Sequence, residues 1–216
     1  ALTGLAVGAC AKSGGGPVHV LDLGTGAGSN LRYLITRLPP HQRWLVVDRG
    51  EDLLADLMSR TAPWAAALGL STRAADGRLT ITGGGLECVI ETCQMDLGPL
   101  ADTSIFDGRH LVTASALLDL VSDSWLAKVA ACTRRQGATA LFSLTYNGHT
   151  RSDPEEPDDG VVLNLFNRHQ RTDKGLGGPA AGPGATEAAR RAFEDAGLVV
   201  RVEPSNWTLG THTKEM

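Results

Sequence analysis

Apolar residues along the chain fall into short runs separated by stretches of helical spacing. Val18-His19-Val20-Leu21-Asp22-Leu23 is an apolar run that ends in a glycine cluster, as a buried parallel strand does. Leu31, Leu34, Ile35 and Leu38 follow at i, i+3, i+4 and i+7, which marks one helix face, and Pro39-Pro40 stops it. Trp44-Leu45-Val46-Val47-Asp48 predicts a second strand, and Leu53, Leu54, Leu57 and Met58 a second helix. This alternation is the sign of a parallel sheet.

Further on, Leu79–Ile81 and Cys88–Met95 predict strands around Gly83-Gly84-Gly85, with a hairpin leading into the third parallel strand. Arg109–Ala114 and Ala138–Tyr146 predict the fourth and fifth. Trp125, Leu126, Val129 and Ala130 suit the buried face of the helix between them. A last helix is predicted over Glu187–Ala196, with Thr186 as N-cap and Gly197 as its stop, and then a sixth strand at Leu198–Val202. Residues 147–185 stand outside the alternation. They hold an acidic, Pro-bearing stretch (151–160), a short helical pattern through Val161, Val162, Leu165, Phe166 and His169, and a Gly/Pro stretch (175–184). With no repeat and no long linker, residues 1–216 read as one domain in which 147–185 is a substrate-side insertion or lid at the carboxyl edge of the sheet.

Composition narrows the function classes. The 216 residues are 42% hydrophobic and 20% charged, with a net charge of −4, which is ordinary for a globular protein. No cluster of Lys and Arg suits a nucleic-acid duplex, so no DNA partner is expected. Cys10, Cys88, Cys93 and Cys132 form no CxxC pair and have no His at zinc-like spacing, so they read as buried or free thiols and no metal is expected. Residues 1–9 are apolar but too short to span a bilayer, and the chain reads as a cytoplasmic protein without a membrane partner.

The strongest signal is Asp22-Leu23-Gly24-Thr25-Gly26-Ala27-Gly28-Ser29-Asn30 between a predicted strand and a predicted helix. A dinucleotide fingerprint requires G-x-G-x-x-G. Here the spacing is G-x-G-x-G, Ser29 stands where the third glycine belongs, and Asp22 sets a carboxylate where a pyrophosphate would lie. Both features favour a ligand without phosphates. Asp48 ends the second strand, where a carboxylate can accept both hydroxyl hydrogens of a ribose; a helix cap is the plainer role. Asp96 follows the third strand and can accept from an adenine amino group while Met95 or Leu97 covers the ring; the plainer role is a loop acid.

Val20–Gly28, Asp48 and Met95-Asp96 together resemble class I S-adenosylmethionine-dependent methyltransferases, over about residues 16 to 204. The resemblance implies a Rossmann-like, doubly wound α/β fold. Its mostly parallel sheet has about seven strands in the order 3-2-1-4-5-7-6, the last antiparallel, with helices on both faces. It implies S-adenosylmethionine as cofactor and S-adenosylhomocysteine as product. The implied contacts are Gly24, Gly26 and neighbouring backbone at the methionine part, Asp48 at the ribose and Asp96 at the adenine, with Met95 or Leu97 over the ring and Asp22, Thr25 and Arg49 as further cofactor contacts. Ser115, at the end of the fourth strand, flanks the sulfonium.

The acceptor side says less. The Asn/Asp-Pro-Pro-aromatic motif of enzymes that methylate nucleic-acid amino groups is absent from Thr113–Asp119, so a small-molecule acceptor is expected, attacking the sulfonium methyl in line. A general base helps only a hydroxyl or carbon acid. Its candidates are His149, His169, Tyr146 and Asp119. His169 comes first because Arg168 and Arg171 beside it can bind an acidic acceptor, although the same residues make an ordinary basic surface turn. Trp207 reads as pocket-lining or buried. The alternatives are a nicotinamide-dependent oxidoreductase, a methyltransferase-like subunit that binds without catalysis, and an aminopropyl transferase.

Overall fold

The computed structural model describes residues 4, 8, 15–143 and 145–207. The expectations for Cys10 and for residues 1–9 lie largely outside them. Among the described residues, seven strands form one sheet: β1 (Val18–Leu23), β2 (His41–Asp48), β3 (Ser71–Ala75), β4 (Arg78–Gly83), β5 (Leu86–Gln94), β6 (Leu111–Ser115) and β7 (Thr139–Ser143). Their order is β3-β4-β5-β2-β1-β6-β7, with β5, β2, β1, β6 and β7 mutually parallel. This is the expected doubly wound sheet, with 3-2-1-4-5 as its parallel centre. The two remaining strands, β3 and β4, form an antiparallel hairpin on the β5 edge.

The strand expected at Leu198–Val202 does not form. Leu198 and Val200 pack against the core, whereas Val199 is fully exposed, and no register with β7 is made. Gly197 does stop the preceding helix, at φ 79°, with Gly197 N donating to Glu194 O and Leu198 N to Phe193 O. That helix begins earlier than expected, at Ala185, so Thr186 lies inside its first turn and caps nothing.

Period-two alternation sends β1 side chains to two separate cores. Val18 and Val20 face α1 (Ser29–Ile35) and α2 (Glu51–Ala67). Leu21 and Leu23 face α3 (Asp123–Arg135) and α5 (Ala185–Asp195). The helix between these two, α4 (Asp159–Gln170), belongs to the insertion and has no buried residue. The chain runs outward through β2 and β5, then returns to the other side of β1 with β6. The sheet therefore switches direction between β1 and β6, where open α/β sheets form their ligand crevice.

One buried amide locks this layer arrangement. Gln42, 1% exposed in β2, donates through Nε2 to Ile35 O and Pro39 O, both at 2.8 Å, and accepts from Trp44 Nε1 at 2.8 Å. It satisfies the end of α1 and an indole inside the core. Gln42→Leu leaves all three groups without a partner in a dry setting. The expected loss is about 2–4 kcal/mol of unfolding free energy in urea titration; a loss below about 0.5 kcal/mol contradicts this account.

Candidate functional site: a glycine crevice at the sheet switch point

β1 leads into α1 through Gly24-Thr25-Gly26-Ala27-Gly28, and all three glycines have left-handed backbone (φ 64°, 53° and 81°). Their reasons differ. A Cβ on Gly24 would press on Leu117 at 3.2 Å, and one on Gly28 would meet Leu57 at 2.7 Å, so these two are needed for packing. A Cβ on Gly26 meets nothing within 4 Å. Gly26 is thus the glycine whose bare backbone faces open space, as close ligand approach requires.

Two carboxyls shape the loop. Asp22 is completely buried; its Oδ2 accepts from Thr25 Oγ1 at 2.7 Å and its Oδ1 from Asn30 Nδ2 at 2.9 Å. Asp22 and the Thr25 hydroxyl are thus hydrogen-bonded to each other and hold the loop from beneath. Asp48 accepts from Gly26 N at 2.8 Å through Oδ2 and from Gly50 N at 3.0 Å through Oδ1. Thr25 N also donates to Val47 O at 3.1 Å, which ties the loop to the end of β2. Each Asp48 oxygen keeps a second lone pair.

Above the loop lies a cavity of about 420 Å³, lined by Gly24, Asp48, Arg49, Leu97, Ala116, Leu117, Leu120, Lys174 and Leu176. Of the expected contacts, Gly24, Asp48, Arg49 and Leu97 are brought together there. Met95 instead packs against the core, and Asp96 is exposed, its Oδ1 accepting from Gly98 N at 2.9 Å. Ser115 is half-buried at the end of β6, in register with Ser143.

The roof comes from within the 147–185 segment read as an insertion or lid, but Lys174 and Leu176, its cavity-lining residues, were not among the expected contacts. Residues 172–182 cross the crevice mouth and fasten to the turn after β6. Ser122 N donates to Leu176 O at 3.1 Å, Ala181 N to Val121 O at 2.8 Å and Gly182 N to Asp119 O at 3.0 Å. A Cβ on Gly98 would lie 2.2 Å from Gly175 O, so this strap rests directly on the turn after β5. The Gly/Pro content of 175–184 was the available signal. Ala116, at φ 55°, and the leucines after it were present in the segment read for an absent motif.

The base candidates separate by position. His169 is exposed on the last turn of α4 and does not line the cavity; its Nε2 lies 3.2 Å from Lys174 Nζ, and it is Lys174 that reaches the wall. Arg168, Arg171 and His149 are exposed. The Tyr146 hydroxyl donates to Asn167 Oδ1 at 2.8 Å. Asp119 is 8% exposed between cavity-lining Leu117 and Leu120; burial pushes its carboxyl up, opposed by its own and Tyr146's backbone N–H groups. Trp207 is exposed, neither lining the cavity nor buried. Among the described residues, no group of three His, Cys, Asp or Glu could hold a metal, and no helix is long and apolar enough to cross a membrane.

The Asp22 carboxyl is pushed up to about 6, first by burial and then by Asp48, against the hydrogen bonds from Thr25 and Asn30. A carboxyl raised on folding favours the folded state below its unfolded value and loses that contribution as pH rises through its folded value. The stability difference between the protein and Asp22→Asn should therefore shift against the carboxylate by roughly 2 kcal/mol between about pH 4 and pH 6.5. Parallel urea titrations across that range check it; a flat difference removes the buried-charge argument.

The sequence matches no protein-family model and no curated protein. Its fold is similar to that of the cyclopropane synthase MmaA2 from Mycobacterium tuberculosis, with TM-score 0.52 and 12% identity over 91% of this chain and 59% of that one. The S-adenosylmethionine-dependent methyltransferase SibL in its apo form gives 0.49 and 18% over 89% and 48%. Human N-acetylserotonin methyltransferase in complex with SAM gives 0.44 and 12% over 83% and 41%. The chain thus spans between about two-fifths and three-fifths of these structures. At such identities the likeness is one of architecture alone: a Rossmann-like, mostly parallel α/β sheet shared with the cyclopropane synthase.

Proposed function

We propose that the protein transfers a methyl group from S-adenosylmethionine to a small-molecule acceptor. The observation that carries this reading is the open, left-handed backbone at Gly26, with Asp48 clamped beside it on the wall of the cavity. The residues fit the cofactor. The cavity can hold one nucleoside-sized ligand. Asp48 has lone pairs left for ribose hydroxyls, Leu97 offers an apolar surface to a ring, and Arg49 and Lys174 supply cations for a carboxylate.

When bound, the cofactor supplies a methyl group already electrophilic on its sulfonium. The chain's own part is then to position and to exclude water. Ala116, Leu117, Leu120 and Leu176 dry the wall facing the loop, and the strap over 172–182 limits access. An amine acceptor needs no strong base. For a hydroxyl acceptor, neither Asp119 nor His169 lines the cavity, so the site's own contribution is positioning rather than a placed base.

Titration calorimetry with S-adenosylhomocysteine tests the cofactor half. Asp48→Ala should weaken binding by about 1–3 kcal/mol, since it removes both a hydroxyl acceptor and the loop clamp. Gly26→Val should abolish binding while costing the fold only about 1–2 kcal/mol for its left-handed backbone. An unchanged affinity in either variant, or stabilisation by NAD(H) alone, overturns the reading.

A further inference from the structure

The wall of the crevice carries an unbalanced positive charge. Asp48 and Arg49 are consecutive and offset one another, which leaves Lys174 as the remaining charged side chain on the cavity wall. Three acids stand on the strap or on the turns beneath it, and none of them lines the cavity. Asp173 Oδ1 accepts from Gly175 N at 2.7 Å, Asp96 Oδ1 accepts from Gly98 N at 2.9 Å, and Asp119 is buried. Lys174 is half-buried, and its ammonium is held by uncharged groups: it donates to Thr172 Oγ1 at 2.9 Å and to His169 O at 3.1 Å, with His169 Nε2 at 3.2 Å. Among the described residues it has no carboxylate partner. The last turn of α4 therefore fixes this cation in place without neutralising it, and a partly desolvated charge without a counter-charge is costly.

The surroundings of Lys174 are apolar. Leu176 follows two residues on, and its carbonyl accepts from Ser122 N at 3.1 Å, which sets it beside Leu117 and Leu120 on the cavity wall. The strap thus presents one held cation in a wall of leucines. S-adenosylmethionine adds to the positive charge, because its carboxylate and ammonium cancel and its sulfonium leaves it a cation. Arg49, exposed beside the loop, suffices for the cofactor's carboxylate, and Lys174 remains. A cationic acceptor would meet like charges in a poorly hydrated cavity, and a neutral one would leave them uncompensated, whereas an anion balances them. The cavity, about 420 Å³, must hold the cofactor as well, so the acceptor is small.

We propose that the acceptor is a small apolar acid, a carboxylate on a hydrocarbon or aromatic body, and that Lys174 selects it by charge. The proposal rests on the reading of the crevice as an S-adenosylmethionine site. Lys174 is a specificity residue here: its ammonium exchanges His169 Nε2 for the acceptor carboxylate, a stronger, charge-assisted partner, while Leu117, Leu120 and Leu176 cover the apolar body.

Benzoate and benzamide share a ring and a size and differ in charge. Each is titrated by ligand-observed NMR into the protein saturated either with S-adenosylhomocysteine, which is neutral overall, or with sinefungin, which carries an amine in place of the sulfonium. Benzoate should bind at least ten-fold more tightly than benzamide, and at least three-fold more tightly beside sinefungin than beside S-adenosylhomocysteine. Lys174→Met should erase the preference for benzoate while changing the affinity for S-adenosylhomocysteine less than three-fold. Lys174→Arg should keep the preference, which covers the case in which methionine loosens the strap. Equal binding of benzoate and benzamide, no binding of benzoate at millimolar concentration, or equal benzoate affinity in the two complexes overturns the proposal. So does a preference that survives Lys174→Met or is lost in both variants. A Lys174→Met variant that no longer binds S-adenosylhomocysteine assigns the ammonium to the cofactor and overturns it too. All these failures are read on a wild type that binds the cofactor analogues; a wild type that binds neither strikes the crevice reading, and the proposal with it.

Discussion

Asp48 accepts two backbone N–H groups, from Gly26 at 2.8 Å and from Gly50 at 3.0 Å, and the shape of the crevice depends on that clamp. The loop after β1 must hold three left-handed residues in a row of five, a backbone with no regular ladder to support it. Asp48 supplies the missing acceptor from the neighbouring strand. Because β1 and β2 are parallel and in register from Val18–Gln42 to Leu23–Val47, the acid stands one step beyond the last pair, beside the loop. One side chain at the end of one strand therefore fixes loop, strand and helix start together.

Beneath that clamp the electrostatics run the other way. Asp22 is as near to the loop as Asp48, yet it is fully buried and pushed up to about 6. Its value to the fold is geometric: one oxygen orders Thr25, the other orders Asn30, and Asn30 also donates to Thr113 Oγ1 at 3.1 Å on β6. The two strands that flank the switch point are thus joined under the loop by hydrogen bonds. A buried acceptor with two donors costs desolvation and gains a defined arrangement. The two carboxyls divide the work, one shaping the floor and one standing at the wall.

Much of this was legible in the sequence. Local periodicity marks β1, α1, β2, α2, α3 and α5, and the loop spacing marks the crevice. Asp48 and Leu97 were findable because strand ends lie at the carboxyl edge of a parallel sheet. What was not legible depends on tertiary context. Asp22 stands one residue inside the end of β1, in register with Val46, whereas Asp48 is the last residue of β2; that two-step difference in register, with Thr25 and Asn30 closed over Asp22, buries one acid and leaves the other on the cavity wall. Leu198–Val202 has strand-forming residues, but pairing requires a free edge in register, which local composition does not encode. Lys174 and Leu176 come from a Gly/Pro stretch with no periodicity at all.

The strap shows how a segment without regular structure can still be specified. Its backbone partners are Val121, Ser122 and Asp119 in the turn after β6, and its close approach to Gly98 is possible only because that residue lacks a side chain. Gly177 contributes in the same way: a Cβ there would lie 2.8 Å from Ser122 Oγ, the atom that also accepts from Trp125 N to start α3. Trp125 in turn donates its indole N–H to Leu97 O at 2.7 Å, on the cavity wall. Roof, helix start and wall are therefore one hydrogen-bonded unit. Opening the crevice at residues 175–178 breaks contacts on surface backbone and leaves the sheet intact, so the roof is the part of this site that can yield to a ligand at least cost.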